Sequence, residues 1–325
     1  MSRADLIVNL VRAGSQNDQK LLRSTVDALV AEERAKQHHQ LARKLEENMS
    51  FPKHQAMSGE VVRAYDGGHG GLLYEIEPRR KLDSLFLASE TVKAVSELIE
   101  EQLRVDLLRS YSLEPRHRVL LSGPPGNGKT SLAEAIATEL MVPLFVVRYE
   151  AVIGSFLGET SGRLKRLFDF ARTHKCVLFF DEFDTLGKER GDTNETGEIK
   201  RVVSSLLLQI DSLPNHVVVV TATNHAELLD RAVWRRFQLR LNLPNPTVAQ
   251  ISEWFKGFER RIGAKLGVSA NVLAKRFTNV SFSDLEQFGE DVFRRHVLSL
   301  PSNDIKKIVS DRLNQWTERV SSDSH

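Results

Sequence analysis

Short strand-like apolar runs alternate with longer stretches of helical periodicity through the middle of this chain. The runs fall at residues 119–121, 144–147, 177–180, 217–221 and 237–241, and most lack the polar alternation of a sheet that is wet on one face. Between them, 131–137 is rich in strong helix formers, and 161–173 and 198–213 have helical length and pattern. Strands and helices alternating in this way predict a parallel sheet covered on both faces, with ligands at the carboxyl ends of the strands. Ahead of the first run, 90–110 reads as one helix. From Asn245-Pro246 onward the pattern is wholly helical, with Trp254, Phe255 and Phe258 on one helix, then Phe277, Phe282, Leu285 and Phe288, and an amphipathic helix over 304–320. Aromatic residues at that spacing form a core.

Residues 2–49 are also helical in pattern. Leu6, Ile7, Leu10 and Val11 share a face, Gly14-Ser15 breaks it, and a second helix capped at Asn17 or Asp18 carries Leu22, Val26, Leu29 and Val30. Past Glu32 only Leu41 and Leu45 continue the apolar stripe, so that half either projects into solvent or packs against another chain. Such a hairpin is too small to make a core alone. It serves partner docking or self-association, or it is an extension laid on the main domain. His38 and His39 are adjacent and therefore point to different helix faces, which argues against a metal site. Residues 50–81 read as a flexible linker around Gly67-Gly68-His69-Gly70-Gly71, with a short strand or docking segment at Leu72-Leu73-Tyr74-Glu75-Ile76 and a small solvated basic run, Arg79-Arg80-Lys81.

At 325 residues the chain suggests two or three structural units. Forty-five basic against 43 acidic residues leave a net charge of +2. The total gives no electrostatic footprint for nucleic acid or an anionic membrane, so nucleic acid is disfavoured as a partner. Cys176 is the single cysteine and lies in an apolar run, where a buried inert thiol is expected. No apolar run has the length to span a bilayer and no secretory signal pattern is visible, so the expected location is cytoplasmic, without membrane association.

The chemistry begins at Val119-Leu120-Leu121-Ser122-Gly123-Pro124-Pro125-Gly126-Asn127-Gly128-Lys129-Thr130. A strand runs into a loop too rich in Gly and Pro for helix or sheet, and a helix follows. In such a loop the glycines let backbone N–H groups turn inward on phosphates, Lys129 reaches the outer phosphates, and the Thr130 hydroxyl ligates Mg²⁺. The positive end of the next helix adds to the cradle. A second apolar strand ends in two carboxylates, Asp181 and Glu182. Behind a phosphate loop, Asp181 would hold Mg²⁺, directly or through water, and Glu182 would activate the water that attacks the γ-phosphate. A third strand delivers Asn224, whose amide could orient that water, or which could cap a helix. Arg231, Arg235 and Arg236 come next in the chain. An arginine beside a γ-phosphate stabilises the charge that develops in transfer, and one supplied by a neighbouring subunit ties hydrolysis to assembly. A structural ion pair is the other use of such a group.

With these residues in hand the sequence resembles the AAA+ ATPases, in particular the AAA group with a second region of homology, over residues 82–300. Gly123 to Thr130 match Walker A, Phe180-Asp181-Glu182 match Walker B, and the stretch from Gly197 through Asn224 to Phe237 resembles the second homology region. The resemblance implies an α/β fold, a P-loop parallel sheet sandwiched by helices, with a small all-helical lid domain and here an N-terminal helical hairpin. It implies ATP and Mg²⁺ as cofactors, with Gly123, Pro124, Pro125, Gly126, Asn127, Gly128, Lys129, Thr130 and Ser131 on the nucleotide, and Thr130 and Asp181 on the metal. Asn224 would be sensor 1. Arg235 and Arg236 would be arginine fingers acting on the next protomer, with Arg236 in register with the family's Arg-Phe end. Phe282-Ser283-Asp284-Leu285 resembles the family's Gly-Ala-Asp-Leu segment beside the adenine, which implies a nucleotide contact for Ser283, although Phe replaces Gly. Gly154-Ser155-Phe156-Leu157-Gly158-Glu159-Thr160 resembles a pore loop that grips a threaded polypeptide, and 190–196 would supply a second one.

The expected organisation is therefore a hairpin at 1–49, a linker at 50–81, the ATPase core at 82–244 and the helical lid with a C-terminal helix at 245–325. The expected function is ATP hydrolysis by a homo-oligomeric ring of six that remodels or unfolds a protein substrate. By resemblance to compact bacterial relatives, a subtilisin-like protease is a candidate partner. The rival is an ATP-gated scaffold or switch that assembles with a partner without threading.

Overall fold

A computed structural model describes residues 62–64, 72–148, 157–184, 196–277, 279–299 and 304–322. The chain divides into two compact units, 1–60 and 61–325, and the second carries every described residue. The hairpin at 1–49, most of the linker, Phe156 and the loop at 190–195 lie outside the described residues.

Seven strands form one sheet among the described residues: β1 (Val62–Ala64), β2 (Leu73–Ile76), β3 (Arg118–Ser122), β4 (Leu144–Val147), β5 (Cys176–Phe180), β6 (Val217–Thr223) and β7 (Leu239–Asn242), in the spatial order β1-β2-β4-β5-β6-β3-β7. From β4 to β7 every pairing is parallel, while β2 joins β4, and β1 joins β2, antiparallel. β3, β4, β5 and β6 are buried almost throughout, as their uninterrupted apolar sequences require. The outermost parallel strand, β7, alternates buried and exposed residues, as a strand covered on one face must.

The two-residue period of each strand sorts its side chains onto two cores. Leu120, Leu178, Phe180, Val217 and Val219 face one cluster, together with Leu164, Leu167 and Phe168 of α4 (Leu157–Arg172) and Leu206, Leu207 and Ile210 of α5 (Thr196–Asp211). Val119, Leu121, Val177, Phe179, Val218 and Val220 face the other, which is covered by α1 (Ser89–Leu103) and α3 (Lys129–Leu140). α3 buries Leu132, Ala133, Ala135, Ile136, Ala137 and Leu140 in the sheet's core and leaves Thr130, Ser131, Glu134 and Thr138 half-buried.

After the short α6 (Arg231–Trp234), the lid is built from α7 (Val248–Ile262), α8 (Ala270–Ala274), α9 (Phe282–Leu298) and α10 (Ile305–Ser322), around a largely aromatic core of Trp254, Phe255, Phe258, Phe277 and Phe288. Capping boxes at Thr247/Gln250 and Ser281/Asp284 fix where α7 and α9 begin.

Several boundaries differ from the sequence reading. The 90–110 helix divides at Arg104 into α1 and a short α2 (Val105–Ser110) that buries none of its residues. β3 begins one residue before its apolar run, at Arg118, which pairs with Val219, and the last strand covers 239–242 rather than 237–241, because Phe237 and Gln238 precede the ladder. The sheet also begins before residue 82. Leu72, Leu73 and Ile76 are buried, and β2 lies against β4 with Leu73 opposite Val147, so the tail of the expected linker is core. α4 starts at Leu157, and Thr160 is fully buried, so the second half of the expected pore loop is helix rather than loop.

Candidate active site

The phosphate loop, the carboxylate pair and Asn224 follow β3, β5 and β6, which lie side by side in the order β5-β6-β3. Neighbouring strands are about 4.8 Å apart, so the end of β5 lies about 10 Å from that of β3, and the loop after β3 must swing across to meet the carboxylates. The chain then leaves through α3 and re-enters the sheet at β4, on the far side of β5 and β6. This change of direction opens the crevice in which α/β sheets bind ligands.

Gly123 shows why the loop needs its glycines. Its φ is +138°, and a Cβ there would lie 2.2 Å from the Leu243 carbonyl oxygen, because Leu243 donates its N–H to Ser122 at 2.7 Å. Downstream, Lys129 is 6% exposed and its ammonium donates to the Gly123 and Pro124 carbonyls at 2.7 and 2.9 Å, closing the loop on itself. Burial lowers the Lys129 pKa against the opposing pull of Asp181 and Asp184. Thr130 donates its hydroxyl to Asp181 Oδ2 at 3.2 Å. The Thr130 hydroxyl at the start of α3 and the Asp181 carboxylate just after β5 are hard oxygen donors that would suit Mg²⁺.

Glu182 is exposed and has a φ of +48°, a left-handed backbone uncommon outside glycine. Its N–H donates to Asp181 Oδ1 at 2.9 Å, and Phe183, which follows, is buried and donates its N–H to Ala222 of β6 at 2.8 Å. The turn between those anchors presents the carboxylate to the crevice. Pro125 to Ser131, Asp181, Glu182 and Asn224 all line one cavity of about 650 Å³, whose other wall includes Phe282 and Ser283 of the lid.

A family model described as the ATPase family associated with various cellular activities (AAA) matches residues 119–245. An AAA family ATPase of Sinorhizobium fredii, y4kL, itself described as uncharacterized, is 33% identical over 291 residues, covering 88% of this chain and 87% of that protein. The chain belongs to the AAA ATPase family. It is also 30% identical over 205 residues to a 26S proteasome regulatory subunit 8 homolog of Encephalitozoon cuniculi, covering 61% of this chain and 52% of that protein. With the cell division cycle protein 48 homolog of Archaeoglobus fulgidus it shares 32% identity over 217 residues, 64% of this chain but 29% of that protein. The chain therefore spans about half or less of the length of those two relatives.

As an AAA ATPase the chain hydrolyses ATP, and its cavity gathers most of the residues expected to serve that reaction. Arg235 and Arg236 do not line it. Arg236 is ion-paired with Asp211 at the end of α5, and Asp211 also accepts from Arg118 at 2.8 Å. Arg118 is the first residue of β3, so this cluster lies at the opposite end of that strand from the phosphate loop. Arg235 is exposed. Gly123 and Pro124 shape the loop from behind, through the Lys129 bonds, without lining the cavity.

Three sets of contacts were not visible in the sequence. Asp184 is 2% exposed and accepts hydrogen bonds from the Thr223 hydroxyl at 2.9 Å and from the Asn224 N–H at 3.2 Å, which fixes the end of β6 against the turn carrying Glu182. Arg80, assigned to a solvated run, lines the cavity and donates to the Ser131 hydroxyl at 2.9 Å, while Glu134 accepts the N–H groups of Arg79 and Arg80 at 3.1 Å. Asn127, expected on the nucleotide, is buried; it donates to Asn245 at 2.8 Å and accepts from the Phe282 N–H at 3.3 Å, joining phosphate loop to lid. A spacing rule finds none of these, because each partner is distant in sequence. Cys176 is buried as expected, and burial pushes its thiol pKa up to about 12, which leaves it inert. Among the described residues no helix is long and apolar enough to cross a membrane.

Proposed function

We propose that this ATPase works as a ring of six copies that converts hydrolysis into force on a protein substrate. One copy contributes Lys129, Glu182 and Asn224, with Thr130 and Asp181 holding Mg²⁺, and the adjoining copy contributes its arginines. Mg²⁺ supplies charge neutralisation on the phosphates. Glu182 draws the proton from the attacking water and Asn224 orients that water. The observation that carries this reading is the position of Arg235 and Arg236. They lie outside the cavity lined by Lys129, Thr130, Asp181, Glu182 and Asn224, so within one chain the charge developing on the γ-phosphate has no arginine from this pair. Arg235 is the group exposed to reach a neighbour, and Arg236 is held beside it by Asp211. The relatives associated by name with the proteasome and with cell division cycle protein 48 support a protein as the substrate.

Mixing two inactive variants tests the shared site. Chains with Lys129→Ala keep their arginines, and chains with Arg235→Ala and Arg236→Ala together keep an intact nucleotide site. Each should be nearly inactive alone, and the mixture should regain hydrolysis. A mixture as inactive as its parts would return the arginines to a structural role. Phe156→Ala separates a threading machine from a scaffold: substrate processing should be lost while basal hydrolysis continues.

A further inference from the structure

Arg80 is a cation in the cavity that the phosphate motif does not account for. It belongs to the stretch between β2 and α1, and carboxylates of α3 hold that stretch along the helix. Glu134 Oε1 accepts the N–H groups of Arg79 and Arg80 at 3.1 Å each, and Glu139 accepts the Leu82 N–H at 3.3 Å. The backbone is therefore tied to α3 on either side of the Arg80 side chain. Glu134 Oε2 also lies 3.4 Å from Arg80 Nε, which orients the guanidinium by its near end. At the far end Nη1 donates to the Ser131 hydroxyl at 2.9 Å, while Nη2 has no hydrogen bond among the described residues. The Arg80 side chain is 39% exposed, and an ion pair as open as this contributes little as a brace for the fold.

The contact with Ser131 sets which phosphate the guanidinium would meet. Ser131 follows Lys129 and Thr130 in the first turn of α3, where unpaired N–H groups and the helix dipole favour an anion. Lys129 serves the outer phosphates and Thr130 the metal, with the Thr130 hydroxyl directed at Asp181. Ser131 is turned from Thr130 by about 100° around the helix, away from that carboxylate. What remains for its side of the turn is the inner phosphate. A serine hydroxyl has one proton to give, and Ser131 accepts from Arg80, so the proton is left for another acceptor. None is found for it among the described residues.

We infer that Arg80 and the Ser131 hydroxyl together hold the α-phosphate of the nucleotide. Arg80 supplies charge and its uncommitted N–H groups, and Ser131 supplies an O–H that Arg80 itself orients. The α-phosphate keeps its charge when the γ-phosphate is cleaved, so this contact stabilises substrate, transition state and product alike. Such uniform binding lowers KM without raising kcat. Arg80 thus differs in role from Arg235 and Arg236, which are proposed to act on the γ-phosphate of a neighbouring copy. The inference rests on the cavity being the nucleotide site and holds whether or not the chain forms a ring.

The test measures equilibrium binding of ATP and of ADP to the full chain beside steady-state hydrolysis. Arg80→Ala should weaken both nucleotides by the same factor, about tenfold or more, as loss of a charged hydrogen bond to phosphate requires. KM for ATP should rise with it, while kcat at saturating ATP stays within about twofold. Arg80→Lys keeps the charge without the fork and should recover part of the loss. Ser131→Ala should weaken both nucleotides by about two- to tenfold, and it carries the test alone should Arg80→Ala not fold. Weakening of ATP but not of ADP, or a fall in kcat that matches the rise in KM, would put Arg80 on the γ-phosphate and overturn the inference. Unchanged affinity for both nucleotides, with a lower denaturation midpoint in the nucleotide-free chain, would overturn it by making Arg80 a brace for α3. Wild-type chain that binds neither ATP nor ADP would remove the nucleotide site itself, a failure distinct from either of these.

Discussion

The strand-end side of the cavity and its lid side are assembled in opposite ways. Lys129 and Thr130 open α3 after the loop that follows β3, Asp181, Glu182 and Asn224 sit just past the ends of β5 and β6, and each is aimed by the few residues before it. Phe86, Trp254 and Phe282 come from segments far apart in sequence and meet only because the lid core packs as it does. Chemistry at the first is set by backbone geometry that a short motif encodes, whereas shape at the second is set by side-chain packing. Substitutions in the first should therefore show in kcat, and those in the second in stability and KM.

Glu182→Gln is expected to have the largest effect. Removing the base while keeping the shape should cost about 10²- to 10⁴-fold in kcat with ATP still bound, measured by steady-state hydrolysis beside equilibrium binding. Turnover near the original rate would take Glu182 out of the mechanism. Next is Asp184→Asn, which weakens the acceptor for Thr223 and Asn224 without touching the phosphates. We expect kcat to fall by about tenfold and stability by about 1–3 kcal/mol, the cost of poorly satisfied buried groups, with ATP affinity little changed. A fall in affinity at constant kcat would erase the distinction between the two parts of the cavity.

Gly289→Ala examines the lid alone. The added Cβ would lie 2.8 Å from Trp254 and 2.9 Å from Phe258, so α9 must move away from α7. Overpacking of this kind costs about 1–3 kcal/mol, read as a lower denaturation midpoint, and KM should rise before kcat falls. The smallest effect belongs to Glu101, remote from the motif. Burial disfavours its charge, but the hydrogen bonds and charge of Arg116 together hold its pKa below the ordinary carboxylate value. A lowered carboxylate pKa stabilises the fold above the unfolded-state value, and the contribution disappears as pH falls through the folded-state value. Glu101→Gln should therefore lower stability by about 1 kcal/mol or less at neutral pH, with the difference closing in acid.

The same contrast explains what could be read from the letters. β6 and its terminal Asn224 were legible because seven buried residues in a row have few other uses, and the loop from Gly123 to Thr130 carries its own conformational requirements. β2 was half legible: its apolar residues suggested a strand, but its place against β4 depends on a partner some seventy residues away. The early start of α4 was hidden because Gly158 and Gly162 lower helix propensity locally, while packing decides the outcome. Nothing marked Asp184 until Thr223 stood opposite it, and Arg80 was read as a solvated charge until Ser131 and Glu134 did.

Gly126 has a consequence beyond phosphate binding. A Cβ there would fall 2.7 Å from Ser281 Oγ and 2.9 Å from Ser283 Cβ, and its carbonyl accepts the Ser283 N–H. The bare backbone at this point acts as a bearing surface on which the smaller domain rests. Any side chain inserted there would act as a shim, tilting one domain from the other however well the phosphates still fit.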